Sequence, residues 1–131
     1  MDLPERLVES IRRFAASRPE VRAVYVFGSQ SNGTRRPDSD LDLGVLYRGR
    51  QPLAATLALE QALEQIVGNT VDLVDAARAG AFVALDIVRG ERIFCRESAE
   101  TDRFEIYVLR RAGDLLPFER QRQTLLLDTA R

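Results

Sequence analysis

Leu3, Leu7, Ile11 and Phe14 recur at helical spacing, which predicts an amphipathic helix that ends near Ser17-Arg18-Pro19. The pattern then changes. Val21 to Phe27 is a β-branched and aromatic run that predicts a strand, and Leu41 to Tyr47 predicts a second. Between them, Gly28 to Asp38 is rich in Gly, Ser, Asn, Pro and Asp, the composition of a loop, with room for one short helical turn. A helix is predicted over Leu53 to Val67, with Leu59, Leu63, Ile66 and Val67 on one face and Gly68-Asn69 as its stop. Thr70 to Val74 predicts a third strand. Asp75 is placed to cap a helix running to Val88, Gly90 ends that helix, and Arg92 to Cys95 predicts a short fourth strand. From about Thr101, the residues Phe104, Tyr107, Val108, Leu115 and Phe118 return to helical spacing, with Pro117 expected to kink or restart the helix.

Helices alternating with strands predict an α/β domain, a sheet covered by helices, with the strand order left open. There are no repeats, linkers or low-complexity tracts. One domain over residues 1–131 is expected, with a core at about 20–95 and C-terminal helices at about 100–131. At 131 residues, 45% hydrophobic and 30% charged, the chain has room for one core and none for a separate substrate domain.

Composition narrows the chemistry. Cys95 is the only cysteine and there is no histidine, which excludes an intrachain disulfide, zinc motifs and His-based triads. A net charge of -1 and a pI near 5.6 lack the basic excess of a protein that holds long nucleic acid through its phosphates. The chain has neither the long apolar run of a membrane span nor a signal-peptide core, so a cytoplasmic protein is expected. Carboxylates, hydroxyls, arginines and bound ions remain as reactive groups.

Asp40 and Asp42 flank Leu41 at the start of the second predicted strand, and residues two apart on a strand share a face. Two carboxylates held that close repel and raise one pKa unless a cation lies between them. Oxygen ligands at this density suit Mg²⁺, which completes its shell with water and substrate phosphates. Asp72, among apolar neighbours on the third strand, supplies a third ligand of a two-ion site if that strand lies beside the second. Asp75 is the alternative if the strand assignment slips. Gly28-Ser29 follows the first strand directly, where backbone amides and the Ser29 hydroxyl can meet phosphate. Gly33 adds a second permissive position to the same loop, and Arg35 and Arg36 are within reach of phosphate oxygens. Asp38 reads as a solvated loop residue.

Gly28-Ser29, then Asp40-Leu41-Asp42 after the intervening loop, resembles the signature of the DNA polymerase beta-like nucleotidyltransferase superfamily. The longer run from Val26-Phe27-Gly28-Ser29 through Ser39-Asp40-Leu41-Asp42-Leu43 is similar to its minimal nucleotidyltransferase branch, and the resemblance extends to the Arg89-to-Phe94 segment. It implies a nucleotidyltransferase fold with a small mixed β-sheet. It also implies that Gly28 and Ser29 bind nucleotide phosphates while Asp40, Asp42 and Asp72 hold two magnesium ions. Many minimal members are antitoxins that silence a HEPN-domain ribonuclease toxin by transferring AMP from ATP to a tyrosine. The chain departs from many relatives at Ser31-Asn32, where they have alanine and arginine; Arg35 and Arg36 are the nearest substitutes. Two other readings stand beside catalytic silencing: a binding module that occludes its partner, and nucleotide transfer to a small molecule.

Overall fold

The computed structural model describes residues 3–28 and 40–129. Its elements in chain order are α1 (Glu5–Ala16), β1 (Val21–Val26), β2 (Leu41–Tyr47), α2 (Leu53–Val67), β3 (Val71–Asp75), α3 (Ala81–Arg89), β4 (Glu91–Cys95) and α4 (Ser98–Thr129). The strands form one mixed sheet in the order β3-β2-β1-β4. β1 runs antiparallel to both β2 and β4, while β2 and β3 are parallel, with α2 as the crossover that a parallel pair requires.

Alternation along the strands divides the core between two faces. Leu41, Leu43, Val45 and Tyr47 of β2 join Val71 and Leu73 of β3 under α1 and α2, which contribute Val8, Ile11, Ala15, Leu59 and Leu63. On the other face Ala23, Tyr25 and Leu46 pack with Ile87 of α3, and Phe104 of α4 lies against them. Gly44 lies on this second face opposite Tyr25, and a Cβ there would stand 2.5 Å from Ile87 Cγ2. The missing side chain therefore lets α3 seat directly on the sheet.

Polar groups fix the helix ends to the strands. The Arg96 guanidinium donates to the carbonyls of Ala15, Ala16 and Arg18 at and just beyond the end of α1 and to Val21 at 3.0 Å, joining the helix end to β1. On the other side the buried Tyr25 hydroxyl donates to Glu105 of α4 at 2.6 Å. Arg92 of β4 donates to the same carboxylate and to Asp102, so the first turns of α4 are tied to two strands.

Two expectations from the sequence are corrected. No helix starts at Asp75. That residue ends β3, its Oδ1 accepts from the Ala77 amide at 3.2 Å in a turn, and α3 begins only at Ala81. Asp side chains serve turns as readily as helix caps, and here the turn takes it. The C-terminal segment is one helix and not several: Pro117 lies inside α4, where it removes an amide but does not end the helix. Among the described residues no helix is long and apolar enough to cross a membrane.

Candidate active site

The end of β1 and the starts of β2 and β3 meet at one end of the strands. The parallel ladder sets Leu41 beside Val71 and Asp42 beside Asp72, so the two aspartates stand in register on neighbouring strands about 4.8 Å apart. Strand alternation sends both toward the face that carries α3 and α4, away from the core under α1 and α2. Asp42 is half-buried; Asp72 is exposed, as is Asp40 just before the strand. The adjacency assumed for the third strand is present.

β1 closes the site from the other side. The Phe27 amide donates to the Asp42 carbonyl at 3.2 Å, and Gly28 follows with a φ of +71°. A Cβ on Gly28 would stand 2.5 Å from Asp42 Oδ2. Glycine is required here twice, by its left-handed backbone and by the carboxylate beside it. Ser29, Gly33, Arg35 and Arg36 lie outside the described residues, as does Asp38.

Electrostatics bind the acids into one unit. Burial, then Asp72, then Asp40 push the Asp42 carboxyl above the usual carboxylate range, all three acting in the same direction. Such a set favours a proton or a cation. Its donors are all carboxylate oxygens, the chemistry that suits a hard divalent ion, and the fit to Mg²⁺ is good on that ground. Among the described residues no group of three or more His, Cys, Asp or Glu side chains is gathered closely enough to hold a metal ion, so the paired Asp42 and Asp72 are the carboxylates the fold itself sets side by side.

Asp75 is excluded as the alternative ligand. It follows Asp72 by an odd number of residues, so its side chain takes the opposite face, and it lies at the far end of β3, where Arg78 Nε holds it at 3.5 Å. A cleft of about 390 Å³ opens beside it between α2 and β3, lined by Leu53, Leu57, Glu60 and Arg78 among others, away from the paired aspartates. Glu60 and Glu64 of α2 escaped the sequence reading. Both reach the backbone of β3, and the only sign of it is their helical spacing.

A glycine turn ending one strand and a pair of acids entering the next set a close backbone approach beside carboxylate oxygens, a combination that suits a metal-bound phosphate. The chain belongs to the family described as polymerase beta, nucleotidyltransferase, which matches residues 9–99, and it is a nucleotidyltransferase. The protein adenylyltransferase MntA of Shewanella oneidensis is 26% identical over 111 residues, 84% of this chain and 77% of that protein. A crystal structure of a toxin-antitoxin with AMP-PNP superposes with a TM-score of 0.75 at 25% identity, over 98% of this chain and 100% of that one. The structure of a tri-AMPylated Shewanella oneidensis HEPN toxin in complex with its MNT antitoxin matches with a TM-score of 0.73 at 22% identity, over 97% of this chain and 98% of that one.

Proposed function

We propose that the chain transfers AMP from ATP to a hydroxyl, that of a tyrosine on a partner HEPN-domain toxin, and thereby acts as the antitoxin of the pair. The observation that carries this reading is the in-register pairing of Asp42 with Asp72 beside Gly28, in a chain whose relatives include a protein adenylyltransferase and an antitoxin seated on an AMPylated toxin. The work is placed in the cytoplasm, where ATP is supplied.

In this reading the acceptor oxygen attacks the α-phosphorus in line. A new O–P bond forms, the bond to the β-phosphate oxygen breaks, and pyrophosphate leaves. Asp40 and Asp42 would hold both of two Mg²⁺ ions and Asp72 the one at the nucleophile. The ions supply Lewis acidity at the attacking and leaving oxygens. Asp72, the exposed member of the pair, would also accept the proton of the acceptor hydroxyl. Gly28 leaves the Asp42 carboxylate its space, and Ser29, Gly33, Arg35 and Arg36 are assigned to the phosphates. The half-burial of Asp42 keeps its negative charge poorly solvated, which strengthens its hold on a cation.

The test is to incubate the chain and its co-expressed partner with α-labelled ATP and Mg²⁺, beside an Asp40→Asn, Asp42→Asn control. Label on the partner that vanishes in the control is expected. A stable complex without label would make the protein an occluding binder, and label on an added small acceptor instead of the partner would make it a small-molecule transferase.

A further inference from the structure

β3 is an edge strand, and it carries one of the two in-register acids. In a parallel ladder, successive residues turn their peptide groups to alternate edges. Thr70 faces β2, where its carbonyl accepts from the Leu41 amide at 3.0 Å. The amides of Val71 and Leu73, one on each side of Asp72, therefore face outward, where a sheet edge normally leaves such groups to water or to another chain.

Here α2 takes both. Glu64 Oε2 accepts from the Val71 amide at 3.0 Å, and Glu60 Oε2 accepts from the Leu73 amide at 2.9 Å. The match is geometric. Four residues of helix advance about 6 Å, and two residues of strand advance about 6.6 Å. Two glutamates one helical turn apart thus meet two amides one strand repeat apart, with the helix running against the strand. Both bonds have ordinary amide-to-oxygen lengths, and both pairs are partly buried, where a lost acceptor is costly. A shift of β3 along its axis breaks both bonds together, and the same shift moves Asp72 away from Asp42.

We propose that Glu60 and Glu64 are positioning residues for Asp72: by holding the two amides that bracket it, they fix β3 against β2 and keep the two carboxylates opposite each other. This rests on reading Asp42 and Asp72 as an ion-holding pair. Guarding the edge against other chains would require only that the amides be covered. Positioning requires that loosening them be felt at the metal.

The experiment uses the full chain and Mn²⁺ alone as probe, with binding followed by electron paramagnetic resonance. Four proteins are compared: the unsubstituted chain, Asp72→Asn, Glu60→Ala with Glu64→Ala, and Glu60→Gln with Glu64→Gln. The alanine pair is expected to weaken Mn²⁺ binding by about 10–100-fold, the usual effect of removing groups that orient a ligand. It is also expected to speed hydrogen exchange at the Val71 and Leu73 amides. The glutamine pair, which keeps an acceptor oxygen at each position but no charge, is expected to restore both. Wild-type Mn²⁺ affinity in the alanine pair, or glutamine variants as weak as alanine, would overturn the proposal. If the alanine pair does not fold, the single Glu64→Ala variant decides by the same readouts. Mn²⁺ binding that is absent from the unsubstituted chain, or indifferent to Asp72→Asn, would instead overturn the ion-pair reading, and the positioning role with it.

Discussion

Replacing Gly28 with alanine separates what the backbone costs from what the active site needs. Gly28 holds a φ of +71°, a left-handed conformation that costs an L-residue about 1–2 kcal/mol. With about 2.1 cal/mol/K of unfolding entropy for each of 131 residues, that cost lowers Tm by about 4–7 °C. The new Cβ would also stand 2.5 Å from Asp42 Oδ2, and ordinary contact begins near 3.5 Å, so the carboxylate must retreat by about 1 Å. A misplacement of that size at reacting groups lowers the rate by about 10². Gly68→Ala is the control. Gly68 has nearly the same backbone, with a φ of +75°, but nothing lies within 4 Å of its added Cβ. Both variants are expected to lose similar Tm in thermal unfolding, and only Gly28→Ala to lose transfer from α-labelled ATP. Full turnover in Gly28→Ala would refute the claim that this gap holds the Asp42 carboxylate in place, and equal loss of turnover in both variants would reduce the effect to stability.

Three further outcomes follow from the same contacts. The Asp42 carboxyl is raised in the folded chain by burial and by Asp72 and Asp40, so without a divalent cation stability is lost as pH climbs through its folded pKa. Asp42→Asn in EDTA should therefore be more stable than the unsubstituted chain at neutral pH and converge with it in acid, as read by urea unfolding across pH; an unchanged pH profile would contradict the coupling. Glu105→Ala leaves the buried Tyr25 hydroxyl without its acceptor and should cost about 1–3 kcal/mol, part of which a second change, Tyr25→Phe, recovers in denaturant melts. Arg96→Lys should lower Tm, by about 1–3 kcal/mol of stability, because a compact ammonium cannot span the carbonyls of Ala15, Ala16, Arg18 and Val21 that the guanidinium reaches at once.

The features legible in the sequence were those whose cause is local. Asp40 and Asp42 share a strand face by alternation alone, Gly28 and Gly68 mark places where the chain turns, and the β-branched runs became β1 and β2 where the pattern placed them. Local evidence fails where two local rules compete. Asp75 suited a helix cap as well as a turn, and the turn prevailed; Pro117 argued for a kink or a restart, and α4 continues through it as one helix. What only the tertiary structure decided is which distant strands are neighbours. The order β3-β2-β1-β4 sets Asp72 beside Asp42, and no periodicity within either strand encodes that pairing. Glu60 and Glu64 show the same limit from the other side. In sequence they are two polar positions on a helix, indistinguishable from a solvated face, and their role exists only because packing lays α2 against the open edge of β3. A single chain segment specifies its own dihedral preferences and its own faces, whereas the partner each face meets is chosen by burying all of them at once.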